Sequence, residues 1–179
     1  MRYCWRDNVA MKYVHVKGED KRLRELVAQL KSLPTVEVGI LEDRGSEAVE
    51  GTSITLATLG MLHDHGFLCR AFGRDKTVHI PARSWLNMPL NRRELHKTFR
   101  WHIRRFLEGK EKELPKKLGE AAVTEIRLAF LTSGYGTWKP LKDSTLKNRR
   151  RHGSSSLMPL IDTGRLMSSI SWKEKKRNG

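Results

Sequence analysis

The sequence has few of the features that would narrow its class at once. Cysteine occurs only twice, as Cys4 and Cys69, without the spacing of a metal site, so a reducing compartment and free thiols are expected. No apolar run approaches the roughly 20 residues that a membrane-spanning helix needs, and the start, MRYCWRDN, lacks the apolar centre of a signal peptide. We therefore expect a protein that is made and kept in a cytoplasm.

Phosphate-binding loops and aromatic residues are also scarce. Neither GxxxxGK[ST] nor GxGxxG occurs, which argues against nucleotide chemistry of the P-loop or Rossmann kind. Aromatic residues make up 7% of the chain and no RNA-binding or helix-turn-helix signature is visible, so sequence-specific reading of bases is not expected. Trp85, Trp101, Trp138 and Trp172 are interpreted as core or interface anchors.

Acidic residues are outnumbered by basic ones. Twenty Asp and Glu against 35 Lys and Arg leave a net charge of +15, which favours contact with nucleic acid or an acidic protein. Residues 139–179 hold 11 basic and three acidic residues, a difference of +8, which is over half of the excess. The alternative is a solvated face with a frayed tail. The candidate basic cluster that faces DNA or a partner consists of Lys147, Arg149, Arg150, Arg151, Lys173, Lys175, Lys176 and Arg177.

Hydrophobic periodicity predicts a mixture of helices and short strands. Apolar residues recur at helical spacing in four segments and alternate with polar residues in short stretches between them. The predicted helices cover 20–33 with Asp20 as cap, 53–65 with Ser53 as cap, 92–107 and 113–131. The predicted strands cover 11–16, 35–41 and 77–80, and the polar segment 42–51 is predicted to be a loop.

These elements predict one α+β domain over residues 1–179. A small, mainly antiparallel sheet built from the predicted strands is expected to be covered by several helices. The 92–107 and 113–131 helices are expected to pack as an antiparallel pair. Residues 1–10 are predicted to form a loose N-terminal arm and 171–179 a basic C-terminal tail.

The segment 159–170, PLIDTGRLMSSI, is the most distinctive stretch. An apolar pair leads into Asp162 and Thr163, which are good N-cap residues, and Gly164 and Arg165 follow. We interpret these four residues as a cap and turn before a short amphipathic helix that reaches Ile170. The triplet also matches the D-T-G of aspartic proteases, but that chemistry needs two carboxylates that share a proton, and a cation follows Asp162 at once.

The pair His63 and His65, separated by Asp64, raises the possibility of a metal site. Residues two apart on a helix do not share a face, so one ion could bind both imidazoles only in an extended segment. We favour roles as a cation at a helix C-terminus and as a surface histidine. No metal, cofactor or catalytic residue is therefore predicted.

Several stretches occur together in this chain. They are VEVGILED at 36–43, LHDHGF at 62–67, IPARSWL at 80–86, KPLKDSTLKNRR at 139–150 and PLIDTGRLMSSI at 159–170. This set resembles the tail-completion, neck or virion-morphogenesis proteins of Mu-like and lambda-like tailed phages, and LHDHGF looks like their degenerate H-E-F-G element. In many relatives that element and IPAR follow DTGRL, whereas here they precede it, so the level in the neck stays open.

The resemblance implies a non-enzymatic virion protein that forms a ring of six or twelve copies at the head–tail junction. Its implied partners are copies of itself, the connector or head-closure protein, and the tail tube or tail terminator, with non-specific contact to phage DNA and no membrane. It would be assembled in the cytoplasm of the bacterial host. The competing interpretation, from charge alone, is a basic nucleic-acid-binding protein or a nuclease.

Overall fold

A computed structural model describes residues 21–70 and 77–176. The chain divides into two compact units, Met1–Ser32 and Leu33–Gly179. The predicted arm at 1–10, the predicted strand at 11–16 and the Asp20 cap lie outside the described residues. The assignment of a single domain stays a prediction.

The described part of the first unit is helix α1, Lys21–Ser32, which agrees with the helix predicted for this segment. Its apolar residues recur at helical spacing along one side. Leu23 and Val27 remain about half exposed and line a shallow groove together with Lys31. Part of the apolar stripe of α1 is thus open to solvent.

The second unit contains the other helices and strands of the described residues. In chain order they are β1 (Thr35–Ile40), α2 (Glu42–Gly45), α3 (Leu56–His65), β2 (Phe67–Arg70), β3 (Thr77–Ile80), α4 (Asn87–Leu90), α5 (Arg93–Leu107), α6 (Leu114–Leu131), α7 (Asp143–Arg151), α8 (Arg165–Ser168) and β4 (Ile170–Lys175). Helices that pack on antiparallel strands confirm the predicted α+β class.

The described strands form two separate antiparallel pairs. Strand β1 pairs with β4, with Ile40 opposite Ile170, whereas β2 pairs with β3. The segments 35–40 and 77–80 therefore belong to different sheets and not to the one sheet predicted. Residues 171–175, which the sequence analysis assigned to a basic tail, form most of β4. Cross-strand pairs stabilise this arrangement, since Val38 lies opposite Trp172 and Glu37 opposite Lys173.

Helices α5 and α6 pack together as the antiparallel pair that the sequence predicts, and α6 also packs on β1 and β4. Pro115 occupies the first turn of α6, where its missing N–H costs nothing. A contact of 3.0 Å between His102 Nδ1 and the carboxylate of Glu111 ties α5 to the loop that leads into α6. Gly119 lets the indole of Trp172 approach the α6 backbone more closely than any Cβ would allow.

The core of the second unit lies between α6, α3 and the β1–β4 sheet. Ile126, Ala129 and Phe130 of α6 are completely buried, and the Phe130 ring packs edge-on against Trp138 with centroids 5.8 Å apart. Burial of each large apolar side chain contributes about 2 kcal/mol. The buried cluster consists of Leu56, Trp85, Val123, Ile126, Ala129, Phe130, Trp138, Leu166 and Ile170.

Three local boundaries differ from the predictions. Helix α3 begins at Leu56 and its cap is Thr55, not Ser53, because the Thr55 side chain accepts a hydrogen bond from the Thr58 N–H at 3.3 Å. Helix α2 occupies the start of the segment 42–51 that was predicted to be a loop. Helix α8 ends at Ser168, since Ile170 already pairs with β1.

A left-handed turn follows α6. Ser133, Gly134, Tyr135 and Gly136 have φ angles of 50°, 66°, 54° and 79°. Such a run is costly for the two residues that carry a Cβ. The turn allows the Trp138 ring to pack directly on Gly134, where a Cβ would clash with it.

Candidate functional site

The stretches at 36–43, 62–67, 80–86 and 159–170 meet around α3, and we call this region the motif core. A Cβ placed on Gly60 would lie 2.9 Å from Ile40 Cδ1, 3.0 Å from Trp85 Cζ2 and 3.6 Å from Leu166 Cδ1. The indole N–H of Trp85 donates a buried hydrogen bond to the Gly60 carbonyl at 2.8 Å. The absence of a side chain at residue 60 therefore lets three of the stretches come together.

Two hydrogen bonds, one to a backbone carbonyl and one to a side chain, join the 62–67 stretch to the 80–86 stretch. The Arg83 N–H donates to the His63 carbonyl at 2.8 Å, and the Leu86 N–H donates to Asp64 Oδ1 at 3.1 Å. Gly66, with a φ of 76°, ends α3 where a Cβ would lie 2.6 Å from the Ala82 nitrogen. The carboxylate of Asp64 is thus used to hold the following loop.

His63 does not have the role that the sequence predicts. Its ring packs edge-on against Phe67 and its Nδ1 atom is buried. Burial, and then the positive charge of Arg83, lower the pKa of His63 to about 4, so the imidazole is neutral and is not a cation at the end of α3. In the described part of the chain no group of three or more His, Cys, Asp or Glu side chains is placed to hold a metal ion.

Arg83 is a buried cation. Its residue is only 6% exposed, and its guanidinium donates to the Lys139 carbonyl at 3.1 Å. Burial and the nearby charge of Arg149 both lower the pKa of Arg83. The side chain therefore connects the IPAR stretch to the segment that precedes α7.

Residues 162–164 form a bend that leads directly into α8, which begins at Arg165. Gly164, with a φ of 76°, is itself the N-cap of α8 and makes no side-chain capping bond. The Thr163 hydroxyl accepts a bond from the Arg165 N–H at 3.3 Å. Arg165 reaches across the fold to Glu47 at 2.8 Å, and Asp162 lies 3.5 Å from the Nε atom of Arg149. Asp162 thus acts as an ion-pair partner.

Arg149 organises the loop between α7 and α8. Its side chain is only 10% exposed. One terminal nitrogen donates to the carbonyl oxygens of Ser156, Met158 and Ile161 at 3.1, 2.9 and 2.8 Å. The sequence pattern predicts that Arg149 faces DNA or a partner, but its donors are directed inward, so this prediction is wrong for Arg149.

The other candidate basic residues separate into two groups. Lys147, Arg150 and Arg151 are exposed on α7. Lys173 and Lys175 lie 3.7 and 3.1 Å from the Glu37 carboxylate across the β1–β4 pair, and the hydrogen bond from Lys175 is the main reason that the pKa of Glu37 is lowered. The Glu37 carboxylate of β1 thus offsets part of the positive charge of β4. Lys176 is exposed, and Arg177 lies outside the described residues.

A further basic surface lies on α5, on the side that the helical period of the sequence sets opposite the apolar residues, although the sequence did not mark it as a candidate site. Arg93, Lys97, Arg100 and Arg104 are exposed along one side of the helix, and Trp101 is 54% exposed among them. We call these five residues the α5 stripe. Their spacing of i, i+4, i+7, i+8 and i+11 follows the helical period and was visible in the sequence.

The motif core and the exposed basic surfaces on α5 and α7 are thus the candidate functional sites of the described residues. In residues 21–70 and 77–176, no helix has the length and apolar character needed to cross a membrane. Comparisons of the chain with family models, with curated proteins and with solved structures find no match.

Proposed function

We propose that this chain is a non-enzymatic structural protein of a tailed-bacteriophage virion. It assembles with copies of itself into a ring of six or twelve subunits at the head–tail junction, as a neck, tail-completion or tail-terminator protein. It needs no cofactor, and its neighbours are the connector or head-closure protein and the tail tube. The motif core supports the proposal, because four stretches that resemble this family, spread over residues 36–170, form one connected interior.

The polar groups of these stretches are used inside the chain. The Trp85 N–H binds the Gly60 carbonyl, and the Asp64 carboxylate accepts the backbone N–H that begins α4. Arg165 pairs with Glu47 at 2.8 Å. Residues of a catalytic site would be directed at a substrate, whereas these hold a shared structural frame. Their arrangement therefore supports a building block over an enzyme.

A closed ring needs two different surfaces on each subunit, since the contact is heterologous. Large apolar side chains are exposed on several elements of the second unit, among them Leu128 and Leu131 of α6, at 40% and 52%, and Leu68 of β2, at 69%. Each described strand also pairs with only one other described strand, so one edge lacks a strand partner within that part of the chain. Both features support self-association.

Sedimentation velocity over a range of protein concentrations tests the ring. We expect the wild-type chain to form one discrete large species, and we expect Leu128→Glu/Leu131→Glu to remain monomeric with an unchanged circular dichroism spectrum. The matched control, Ser144→Glu/Thr145→Glu, adds the same charge at exposed positions of α7 and should assemble like the wild type. A wild-type chain that stays monomeric at every concentration would contradict the proposal.

The nuclease alternative is tested in the same preparations. Incubation with duplex DNA and divalent cations should leave the DNA intact. Cleavage that copurifies with the protein and disappears in Asp162→Ala would support an enzyme and contradict a purely structural role.

A further inference from the structure

The side of α5 that faces solvent carries most of the cationic residues of this helix. The apolar side of the helix packs on α6, with Leu95 fully buried, whereas the α5 stripe is on the solvent side. Four cationic side chains on one face repel one another, which is unfavourable for the helix. Their presence therefore points to an external partner.

The carboxylates of this region already have other partners. Within the described residues, no carboxylate oxygen lies within 4.0 Å of a cationic group of the α5 stripe. The pairs are Glu94 and Glu125 with Arg92 at 3.1 and 3.2 Å, Glu108 with Lys110 at 2.8 Å, and Glu111 with His102 at 3.0 Å. Arg100 donates one bond, from Nε to the His96 carbonyl at 3.2 Å. The stripe thus retains its charge for an anionic partner.

The length of the stripe fits a row of phosphates. From Arg93 to Arg104 the helix rises about 16 Å, at about 1.5 Å per residue. A strand of duplex DNA presents one phosphate about every 3.4 Å along its axis, so the stripe spans about five phosphates. Linear spacing of this kind matches a polyanion with a regular charge repeat.

Trp101 adds a flat, half-exposed ring in the middle of the cations. The guanidinium carbon of Arg105 lies 4.9 Å from the centroid of this ring, a cation–π arrangement that restricts the arginine before any partner binds. The Trp101 ring therefore holds a further cation, Arg105, beside the stripe.

We propose that the α5 stripe binds the phosphate backbone of duplex DNA without reading base sequence. Protein–DNA interfaces are much more positively charged than protein–protein interfaces, whose centres are depleted of charge. A helix that lies on a membrane inserts its apolar face into the lipid, but the apolar face of α5 is used against α6. The proposal does not depend on ring formation, because DNA binding and oligomer mass are measured separately.

Fluorescence anisotropy with labelled duplexes of two unrelated sequences, measured across a salt series, tests this surface. The variant is Arg93→Gln/Lys97→Gln/Arg100→Gln/Arg104→Gln. We expect both duplexes to bind equally, and the slope of log K against log salt to fall in magnitude by about three to four units in the variant, because each lost phosphate contact contributes about 0.9. Trp101→Ala should weaken binding about fivefold.

The matched control removes the same charge from exposed residues outside the α5 stripe and the α7 cluster, as Lys31→Gln/Arg44→Gln/Lys139→Gln/Lys142→Gln. For this control variant, the slope of log K against log salt should differ from that of the wild type by less than one unit. An equal loss in both variants would mean that only net charge matters, and the proposal would be overturned. It would also be overturned if the wild type did not bind DNA at low salt. The proposal would also be contradicted if the stripe variant lost binding to phosphatidylserine vesicles or to polyglutamate but still bound DNA like the wild type.

Discussion

The Arg149 guanidinium donates a hydrogen bond of 2.8 Å to the carbonyl oxygen of Ile161, so a helix of the basic segment holds the residue that precedes the bend at 162–164. Two more carbonyls of the same loop share this donor group. We expect Arg149→Ala to lower the free energy of unfolding by about 3 kcal/mol, because it leaves these carbonyls and Asp162 without their cation. Urea denaturation measures the loss.

The control for this change is Arg150→Ala, on the neighbouring position of α7. Arg150 is exposed, so its removal should alter stability by no more than about 0.5 kcal/mol. Equal effects of the two substitutions would show that Arg149 is one surface charge among several.

Gly60 is the point at which the motif core is most tightly packed. Alanine normally stabilises a helix relative to glycine by about 1 kcal/mol. We nevertheless expect Gly60→Ala to destabilise the protein by about 1 to 3 kcal/mol, since its Cβ would lie 2.9 Å from Ile40 Cδ1 and 3.0 Å from Trp85 Cζ2. Chemical denaturation of Gly60→Ala, Ile40→Val and the double variant gives the coupling free energy between residues 60 and 40.

In that cycle, Ile40→Val removes the methyl group nearest to the new Cβ. The double variant should therefore be more stable than the sum of the single effects predicts. Strict additivity, or a stabilising Gly60→Ala, would show that the stretches do not pack around this residue as described.

The neutral state of His63 makes stability depend on pH. The pKa of His63 falls from 6.5 to about 4 in the folded protein, so between these values the unfolded chain binds a proton that the folded chain does not. The contribution of His63 to the free energy of unfolding is therefore complete above pH 6.5. It is lost as the pH falls toward 4, by about 3 kcal/mol in total.

Urea denaturation at pH 7, 5.5 and 4.5 checks this sign. The stability of His63→Gln should fall less steeply with acidification than that of the wild type, since other titrating groups are common to both proteins. Parallel curves for the two proteins would show that His63 titrates normally.

The left-handed turn after α6 provides a contrasting pair of substitutions. Ser133 and Tyr135 have φ angles of 50° and 54°. Ser133→Gly should stabilise the protein by about 0.5 to 1 kcal/mol, because glycine adopts this conformation without strain. Thermal unfolding provides the measurement.

Tyr135→Gly relieves similar strain but should be destabilising. The Tyr135 hydroxyl donates to Glu125 Oε1 at 2.8 Å, and the Arg92 guanidinium carbon lies 3.7 Å from its ring centroid. The lost contacts outweigh the relief of strain. A gain in melting temperature in both variants would contradict the assigned contacts of Tyr135.

The elements with strong local patterns could be predicted from the sequence. Helices α1, α5 and α6 carry long apolar stripes, and β1 alternates between apolar and other residues. Strand β4 was missed because ISWKEK follows a helical stretch and ends in lysines. Its pairing with β1, more than 100 residues earlier, is a tertiary contact that local propensity does not contain.

The site was only partly predictable for a related reason. The stretches of the motif core were found as sequence patterns, but their convergence on Gly60 depends on the whole fold. Arg149 looks like its neighbours Arg150 and Arg151 in the sequence, and only the path of the following loop turns its side chain inward. The α5 stripe had a visible period, but its exposure depends on which side of α5 packs on α6.

Native mass spectrometry of the purified chain is the most direct test of the proposed ring. With a subunit mass of 20.7 kDa, we predict a discrete assembly at six or twelve times this value that gains population as concentration rises. A spectrum that contains only the single chain at every concentration, or a broad ladder of masses without a closed endpoint, would contradict the account.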